Sequence, residues 1–503
     1  MTRRSASRKV AAKPGVPRFD ARVLNRLGVK TERLATDSRQ IKPGDTFIAY
    51  PGEKLDGRNY IPQAIAARAG AVLWEKRDFK WNPQWKTANL GVNGLREKAG
   101  VIANRVYGKP SHQLWVIGVT GTNGKTSCSH WIAQCLTRLG KKTAVVGTLG
   151  NGFPSRLEPT VNTTPDAVLL QELLAGYVQC GAQCVVIEVS SHSLTQGRVN
   201  GVAFDVAVLT NLSRDHLDYH GSMQAYAAAK AKLFHWPGLR CAIVNLDDRF
   251  GRELARQLEK RRVKVVGYGF GKGDIAGYRL DLARRGLSLE IRTRWGDARL
   301  QSRMLGKFNA ANLLAVLGVL LVSGVKLEPA ARVLQEIKPP SGRLQMVNDQ
   351  PLVVVDYAHT PDALKKVLQS LRSIAQESNG KLVCVFGCGG DRDRGKRPQM
   401  GRVAVSLADQ VVVTSDNPRS EDPLAIIADI ARGWRLGFKD PERAPVVEPD
   451  RAKAIRLAIS GAAENDVVLI AGKGHEDYQE IGGEKMPFSD VRTAQTVLQE
   501  SAG

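Results

Sequence analysis

The sequence predicts an α/β protein of three domains: a small α/β domain, a central P-loop-type parallel sheet, and a C-terminal doubly wound domain of the Rossmann-like kind. Two observations support this fold class. Short continuous apolar runs alternate with helical stretches along most of the chain, which is typical of parallel strands buried on both faces. Polar, reactive residues directly follow these runs, as they do where ligands bind at the carboxyl ends of strands.

The chain has 503 residues, a length that allows roughly two to four domains, each with its own core. We place a basic disordered tail at 1–23, the small α/β domain at 24–112, the central domain at 113–338 and the C-terminal domain at 339–503. The linker Pro339-Pro340-Ser341-Gly342 marks the last boundary, because proline and glycine interrupt helices and strands alike.

The apolar pattern justifies the elements of each domain in turn. In the first domain, runs at 46–49 and 71–74 flank a helical stretch at 61–69. Three continuous runs predict parallel strands in the central domain: 185–187, 207–209 and 242–244. An alternating stretch at 287–291 then predicts an antiparallel hairpin. Four more continuous runs predict the C-terminal sheet: 353–355, 383–386, 411–413 and 467–470.

The net charge is +24, from 73 basic and 49 acidic residues. Such an excess favours anionic partners, either nucleic acid or small substrates such as nucleotides and carboxylates. The sequence has no recognisable nucleic-acid module and no basic stretch interleaved with aromatic residues. We therefore expect small-molecule anionic substrates and no nucleic-acid partner.

Composition also argues against membrane and secreted proteins. No apolar stretch is as long as a membrane-spanning helix, and the basic tail lacks the apolar segment of a secretory signal. The seven cysteines form no Cys-x-x-Cys pair, which favours reduced thiols over disulfides or a zinc site. We expect a cytoplasmic monomer without membrane insertion.

The run Gly121-Thr122-Asn123-Gly124-Lys125-Thr126 is typical of a phosphate cradle. It lies between an apolar segment and a helical stretch, so backbone N–H groups and the positive end of a helix would face the anion. Lys125 would add positive charge, and the Thr126 hydroxyl could bind Mg²⁺. The spacing differs from the general P-loop pattern, because only two residues separate the two glycines. A glycine turn with a surface lysine is the alternative, but the strand–turn–helix context favours an enzyme that uses ATP.

A carboxylate and an imidazole follow two strands of the predicted central sheet. Glu188 comes directly after the run at 185–187, and His216 lies in the loop after the run at 207–209. Mg²⁺ prefers oxygen ligands, so Thr126 and Glu188 suit it, with His216 a less usual addition. Either residue alone would be an ordinary loop residue, but the two together beside a phosphate cradle predict a metal site.

Charged and glycine-rich clusters follow the C-terminal strands, at 356–362, 387–397, 416–419 and 472–477. Arginine binds carboxylates through paired hydrogen bonds, whereas Asp and Glu pair with ammonium groups. Because both kinds of side chain recur at one edge of the sheet, they predict a site for a zwitterionic ligand. Exposed charged loops are the alternative.

Together these motifs resemble the Mur ligase family, the ATP-dependent amino-acid ligases of peptidoglycan synthesis. The resemblance extends from Asp37 to Asp490, with six separated motifs in the family's order. Besides the phosphate cradle, the motifs that carry it are Thr36-Asp37-Ser38-Arg39, Asp56-Gly57-Arg58, Asn162-Thr163-Thr164, the run from Asn211 to Gly221, and Gly389-Gly390-Asp391-Arg392-Asp393.

The resemblance implies an ATP site and a metal site. The ATP-binding residues would be Gly121, Thr122, Asn123, Gly124, Lys125, Thr126, Ser127, Asn309, Arg343 and His359. The catalytic residues would be Lys125, Glu188, His216 and Lys230, and the Mg²⁺ ligands would be Thr126, Glu188, His216 and Lys230. In the family, the lysine that Lys230 matches carries a carbamate, which turns an ammonium into an anion able to bind Mg²⁺. The residues alone do not distinguish Lys230 from Lys232 on the same helical stretch.

The resemblance also implies two substrate sites. A UDP-muramoyl dipeptide would contact Ser38, Asn162, Thr163, Thr164, Ser190, Gln196 and Arg198. The incoming diaminopimelate would contact Arg392, Asp416, Asn417, Pro418, Arg419, Gly472 and Glu476. The sequence departs from the family near Glu53-Lys54-Leu55, so the uridine contacts there stay open.

The loop Asp416-Asn417-Pro418-Arg419 has the form seen in the diaminopimelate-adding branch of the family, whereas lysine-adding relatives lack the arginine. Arg419 could pair with the second carboxylate of meso-diaminopimelate and would repel the terminal ammonium of lysine. The resemblance therefore implies ATP-dependent addition of meso-diaminopimelate to the D-glutamate side-chain carboxylate of UDP-N-acetylmuramoyl-L-alanyl-D-glutamate, through an acyl phosphate and with Mg²⁺.

Four other functions stay open at this point. A ligase for L-lysine is opposed by Arg419, and a folylpolyglutamate-type ligase by the run from Asn211 to Gly221. A nucleic-acid-stimulated NTPase would suit the net charge of +24, but no nucleic-acid module supports it. A non-catalytic nucleotide-binding protein would not need the intact set of Lys125, Thr126, Glu188 and His216.

Overall fold

The computed structural model describes residue 17 and residues 19–53, 55–435 and 444–502. Most of the tail predicted at 1–23, together with Lys54, lies outside the described residues. The described strands form three larger sheets and one two-stranded sheet. Separate apolar cores cover the two faces of each larger sheet. The protein is therefore an α/β protein with a central, mostly parallel sheet, and the predicted fold class is confirmed.

The first sheet is parallel and consists of β1 Leu34–Ala35, β2 Thr46–Ala49, β3 Ala71–Glu75 and β4 Ala88–Val92, hydrogen-bonded in that order. The helices of this region are α1 Ile61–Ala66 and α2 Leu95–Val106, with 3₁₀ helices at Ala21–Leu27, Ser38–Gln40, Gly57–Tyr60 and Pro110–His112. On α2, Leu95, Ala99 and Ile102 recur at helical spacing and are buried. They pack against Ile48 and Leu73 on one face of the sheet, and α1 covers the other face.

The central sheet is built from β5 Trp115–Thr120, β6 Thr143–Gly147, β7 Gly150–Phe153, β8 Arg156–Glu158, β9 Cys184–Glu188, β10 Val206–Leu209, β11 Cys241–Asn245, β12 Lys264–Phe270, β13 Ile275–Ala283, β14 Gly286–Thr293 and β15 Gly296–Ser302. Its strand order is β15-β14-β13-β12-β11-β10-β5-β9-β6-β7-β8. The strands from β13 to β6 in this order are parallel, and antiparallel strands extend both edges. The hairpin predicted from the alternation at 287–291 is β14 and β15.

The helices of the central region are α3 Lys125–Arg138, α4 Ala167–Gln179, α5 Ser191–Gln196, α6 Leu217–His220, α7 Met223–Phe234, α8 Arg249–Glu259, α9 Lys307–Val322 and α10 Leu327–Gln335. Several begin at capping side chains that satisfy free N–H groups: Asp166, Ser222 and Asp248. Helix α9 is apolar over most of its surface because it is buried beside α3 in the core of one sheet face. Among the described helices, none has the length and apolar character needed to cross a bilayer.

The order of the central strands reverses beside β5. The chain passes from β5 through α3 to β6 on one side of it, whereas β10 pairs with its other edge. A reversal of this kind opens a crevice at the carboxyl ends of the strands, where ligands bind in open α/β sheets. The fold thus gathers the loops after β5, β9 and β10 at one place.

The C-terminal sheet consists of β16 Gln345–Asp349, β17 Leu352–Asp356, β18 Leu382–Phe386, β19 Gln410–Val413, β20 Val446–Val447 and β21 Val467–Ala471. Its order is β16-β17-β21-β18-β19-β20, and β16 is its antiparallel strand. The helices are α11 Pro361–Glu377, α12 Lys396–Leu407, α13 Pro423–Arg435, α14 Arg451–Ser460 and α15 Asp490–Ala502. A hairpin of β22 Tyr478–Ile481 and β23 Glu484–Pro487 forms the small fourth sheet.

A fully buried ion pair joins α14 to α15. The Arg451 guanidinium donates to both carboxylate oxygens of Asp490, at 2.7 and 2.8 Å, and both side chains are 0% exposed. The same guanidinium donates to Ser415 O at 3.2 Å and to Ala471 O at 3.0 Å. Arg451 therefore ties the ends of β19 and β21 together directly before the loops that carry the predicted amino-acid site.

We expect Arg451→Ala to lower the free energy of unfolding by about 3–5 kcal/mol, because it leaves the Asp490 carboxylate buried without a partner. The matched control is Arg456→Ala, which breaks a half-exposed pair with Glu500 and should change the free energy by less than about 1 kcal/mol. Differential scanning calorimetry of both variants measures the difference. Equal transition temperatures for the two would contradict the structural role of Arg451.

Candidate active site

The turn between β5 and α3 has the hydrogen bonds of a preformed cradle. The backbone N–H groups of Thr122 and Asn123 donate to the backbone and side-chain oxygens of Asn211, at 2.9 and 3.0 Å. Thr210 Oγ1 donates to Asn123 O at 2.6 Å. A Cβ added to Gly121, whose φ is 153°, would lie 1.8 Å from Thr210 Oγ1, so only glycine fits there. The loop after β10 thus fixes the shape of the turn.

Two lysines converge on one carbonyl of this turn. The ammonium groups of Lys125 and Lys230 donate to Gly121 O at 3.0 and 2.7 Å, and Lys125 also donates to Thr122 O at 2.8 Å. Desolvation lowers the pKa of Lys125. Burial, and then the charge of Lys125, hold the pKa of Lys230 well below its ordinary value. Lys230 is only 1% exposed, whereas Lys232 on the same helix is partly exposed, so the two lysines have different environments.

The Glu188 carboxylate is completely buried at the end of β9. It accepts hydrogen bonds from Thr126 Oγ1 at 2.9 Å and from the N–H and hydroxyl of Thr148 at 3.0 and 3.1 Å. The paired oxygens of Thr126 and Glu188 are donors that Mg²⁺ prefers. No group of three or more His, Cys, Asp and Glu side chains suited to a metal occurs in the described part of the chain. A complete Mg²⁺ site would therefore also need hydroxyl, carbamate or phosphate oxygens.

His216 lies in the loop after β10 and makes other contacts. Its side chain is 43% exposed, and its Nε2 is 3.3 Å from Asp215 Oδ2. Its ring packs edge-on against His192, with centroids 4.8 Å apart. Desolvation lowers the pKa of His216, and the charges of Lys125 and Lys230 act in the same direction. The imidazole is therefore biased towards the neutral form that a metal ligand requires.

Arg343 extends to the start of α3, where Ser127 is buried. Arg343 Nη2 donates to Thr126 Oγ1 at 3.4 Å, and its guanidinium lies over the Tyr357 ring at 4.3 Å. His359 shares a 2.9 Å hydrogen bond with Tyr357 O, and burial lowers its pKa to about 4. Arg343 thus connects the C-terminal part of the chain to the phosphate cradle.

Helix α9 lies beside the cradle, where its Asn312 faces Gly124. Asn309, which was predicted, donates to Leu305 O at 3.0 Å and accepts from Asn312 Nδ2 at 3.4 Å. Asn312, which was not predicted, fills the space beside Gly124, where an added Cβ would be 2.8 Å from its Oδ1. Asn123 Nδ2 also donates to Asp362 Oδ2 of α11 at 3.3 Å.

Four of the residues predicted for the dipeptide substrate form one cluster beside Glu188. Thr164 Oγ1 donates to Glu188 O at 2.7 Å and accepts from the Ser190 N–H at 3.2 Å. Arg198 Nη1 donates to Thr164 O at 3.0 Å, and the Thr163 hydroxyl lies 3.1 Å from that of Thr148, which contacts Glu188.

The three other predicted residues lie apart from this cluster. Asn162 is exposed in the loop before it. Ser38 is buried in the first domain, where it donates to Gln63 Oε1 at 2.8 Å. Gln196, at the end of α5, donates to Glu53 Oε1 of the first domain at 2.7 Å.

The predicted amino-acid site lies at the carboxyl edge of the C-terminal sheet. Asn417 Nδ2 donates to Glu476 Oε2 at 2.7 Å. Lys473, which is fully buried, donates to Asn417 Oδ1 at 2.9 Å and to Glu476 Oε2 at 3.1 Å. Arg419, after Pro418, donates to Gly390 O at 2.7 Å and lies 3.4 Å from Glu480 Oε2.

The other predicted members of this site differ in exposure. Asp416 and Gly472 are buried beside the Asn417 cluster, whereas Arg392 is exposed and donates to Asp391 O at 3.4 Å. Lys473 was within a recognised cluster but was not selected, although its place between two glycines after a strand was a usable signal. Thr148 and Asn312 had no such signal, because each contacts the site only through the packing of distant elements.

Three stretches of the chain match domain descriptions of one family. Residues 119–320 match "Mur ligase middle domain", residues 342–474 match "Mur ligase, glutamate ligase domain", and residues 30–107 match "Mur ligase family, catalytic domain". The chain belongs to the Mur ligase family, as the sequence motifs predicted.

Individual relatives have names that specify a reaction within the family. A protein of Chromobacterium violaceum named "UDP-N-acetylmuramoyl-L-alanyl-D-glutamate--2,6-diaminopimelate ligase" is 52% identical over 486 residues, which cover 96% of this chain and 97% of that protein. A protein of Pseudomonas aeruginosa with the same name is 50% identical and covers 94% of this chain and 98% of its own length. A solved structure of a ligase of this name has a TM-score of 0.68 and 36% identity, over 94% of this chain and 96% of that one.

We expect Gly147→Ala to lower ligase turnover about 100-fold, because the new methyl group would lie 2.2 Å from Glu188 Oε1 and displace the carboxylate from Thr126. The matched control is Gly176→Ala in α4, where no atom lies within 4 Å of an added Cβ. That control should keep turnover and gain about 0.5–1 kcal/mol of stability. Steady-state turnover and thermal unfolding of both variants test this, and normal turnover in Gly147→Ala would contradict it.

Proposed function

We propose that this chain is an ATP-dependent ligase that joins meso-diaminopimelate to the D-glutamate side-chain carboxylate of UDP-N-acetylmuramoyl-L-alanyl-D-glutamate in peptidoglycan synthesis. The observation that carries the proposal is the similarity, over nearly the whole chain, to ligases of that name. The geometry supports it, because a phosphate cradle and a cluster suited to a zwitterion lie at the carboxyl edges of two neighbouring sheets.

The reaction needs ATP because a carboxylate is anionic and has no good leaving group. Transfer of the γ-phosphoryl group to the D-glutamate carboxylate forms an acyl phosphate and leaves ADP. The neutral amine of diaminopimelate then attacks the acyl carbon, the amide bond forms, phosphate leaves, and the amine loses a proton. Lys125 and the N–H groups of the cradle would stabilise the charge on the transferred phosphoryl oxygens, while the two substrate sites hold the reacting groups in place.

Mg²⁺ suits the oxygen donors of Thr126 and Glu188, with His216 and a carbamate on Lys230 as further ligands. When bound, the ion would neutralise phosphate charge. Glu188 is held by Thr126 and by both donors of Thr148, so its carboxylate is oriented by the protein. A carbamate on Lys230 would attract the ion, whereas an ammonium group there would repel it.

The environment of Lys230 supports carbamate formation. Only a neutral amine attacks CO₂, and burial together with Lys125 favours the neutral form by lowering the pKa of Lys230. Attack forms a nitrogen–carbon bond and releases one proton, and the product is an anionic carbamate beside the positive charge of Lys125. Lys232 has no comparable burial.

Each of the three substrates would bind at its own set of predicted residues. The nucleotide would lie on residues 121–127 with Asn309, Arg343 and His359, and the UDP-linked dipeptide between the first and central domains. The amino acid would bind at the Asn417 cluster, with Arg419 on its second carboxylate. We propose domains at 24–112, 113–338 and 339–503, and a monomer in the cytoplasm. Closure of the domains about Pro339–Gly342 would be a gating step in the reaction.

The test is phosphate release from ATP with Mg²⁺ and UDP-N-acetylmuramoyl-L-alanyl-D-glutamate, in parallel with meso-diaminopimelate, L-lysine or no amine. We expect turnover only with diaminopimelate. Arg419→Ala should raise the KM for diaminopimelate about 10- to 100-fold, because it removes a charge-assisted hydrogen bond, and should leave the KM for ATP unchanged. Arg394→Ala, in the neighbouring loop and 71% exposed, is the control.

Turnover with lysine as good as that with diaminopimelate would contradict the role of Arg419. No turnover with any amine would contradict the proposed reaction itself.

Lys230→Met should reduce turnover about 100- to 1,000-fold, because it removes an anionic group from the phosphoryl-transfer site. Lys232→Met, two residues along the same helix, should retain kcat at saturating substrate. In ¹³C-bicarbonate, the wild-type protein should show a carbamate resonance by NMR that is absent from Lys230→Met and present in Lys232→Met. A resonance that persists in Lys230→Met would assign the carbamate to another lysine.

A further inference from the structure

A cavity of about 370 Å³ lies between the first and central domains. Glu53, Arg96 and Glu97 line it from the first domain, and Gln196, Tyr219 and Lys232 line it from the central domain. Of these, only Gln196 was assigned to a substrate by the sequence motifs. Glu53 also lies where the sequence motifs depart from the family pattern.

Three hydrogen-bond donors converge on a single oxygen in this cavity. Gln196 Nε2 donates to Glu53 Oε1 at 2.7 Å, and the Tyr219 hydroxyl donates to the same atom at 2.8 Å. Arg96 Nη2 contacts it at 3.5 Å. Gln196 Nε2 lies 3.3 Å from the Tyr219 hydroxyl oxygen, so the two donors form one small site that suits an anionic oxygen.

The Glu53 carboxylate, which occupies this site, is ionised at neutral pH. Desolvation raises the pKa of Glu53, but hydrogen bonds from Tyr219, Gln196 and Arg96 outweigh it and hold the pKa below its ordinary value. The Glu53 side chain is 46% exposed, so it can leave the site without breaking a packed core.

The site is continuous with the catalytic residues. The Tyr219 ring packs on His192 with centroids 4.2 Å apart, and His192 packs on His216 at 4.8 Å. Tyr219 itself belongs to the helix that follows His216. An anionic group bound by Gln196 and Tyr219 would therefore be held at the entrance to the reaction site.

We propose that Glu53 is a competing internal anion: its carboxylate occupies the donors of Gln196, Tyr219 and Arg96, and an anionic group of the UDP-linked substrate displaces it on binding. The inference rests on the proposed function, since that substrate carries both a diphosphate and peptide carboxylates. Glu53 thereby acts as a positioning residue that links the first domain to the central one before substrate binds and reduces affinity for the substrate.

The experiment uses the full chain with Glu53→Gln and Glu53→Ala, and Glu97→Gln as the matched control. Glu97 lines the same cavity but is not a partner of Gln196 or Tyr219, so its variant removes one charge without vacating the donors. Calorimetric titration with UDP alone and with UDP-N-acetylmuramoyl-L-alanyl-D-glutamate, without ATP or amine, measures binding independently of ligation. Steady-state turnover then gives KM and kcat.

Both Glu53 variants should bind the UDP-linked substrate about two- to five-fold more tightly, with a lower KM and an unchanged kcat, because an exposed ionic interaction of this size no longer competes. Tighter binding of UDP alone would identify the diphosphate as the displacing anion. Tighter binding of the full substrate only would identify a peptide carboxylate. Glu97→Gln should match the wild-type protein.

Weaker or unchanged binding in the Glu53 variants, equal tightening in Glu97→Gln, or binding of neither compound to any variant would each overturn the inference. Tighter binding without any ligase turnover in the wild-type protein would instead keep the Glu53 site and reject the proposed reaction.

Discussion

The parallel pairing of β5 with β9 on one side and β10 on the other is the constraint on which the site depends. Val119 is in register with Glu188, and Thr120 with Leu209, so the three strands end within about one residue of each other. Their loops must therefore meet, and the turn after β5 obtains its hydrogen-bond partners from the loop after β10. Without this register, the turn that contains Gly121 and Gly124 would lose the hydrogen bonds that fix its conformation.

Two buried charged groups near the candidate sites, Glu188 and Arg451, each have several partners. The Glu188 carboxylate accepts three hydrogen bonds within the site. Arg451 neutralises Asp490 and also donates hydrogen bonds to two backbone carbonyls. Lys230 is different, since its Nζ donates to the Gly121 carbonyl and the charge of Lys125 helps to lower its pKa. A lowered pKa favours the neutral amine, and this environment therefore supports the carbamate proposed on Lys230.

Several contacts between the domains beside the candidate sites are polar. Arg343 and Asp362 connect the C-terminal domain to the cradle, and Glu53 connects the first domain to Gln196 and Tyr219. Polar contacts of this kind exchange readily for contacts with a ligand, whereas an apolar interface would resist opening. The arrangement suits a ligase whose substrates bind between domains and whose groups must be brought together for reaction.

From the sequence alone, continuous apolar runs predicted the fold class and buried strands such as β9, β10 and β11, and motif order predicted the family, because these are local properties. It also predicted that the candidate site residues follow the carboxyl ends of strands, and the fold class is confirmed. Only the tertiary structure separated Lys230 from Lys232 and placed Thr148, Asn312, Lys473 and Glu53 around the sites. The burial and the hydrogen-bond partners of these side chains depend on elements far apart in the chain, so a local sequence pattern cannot predict them.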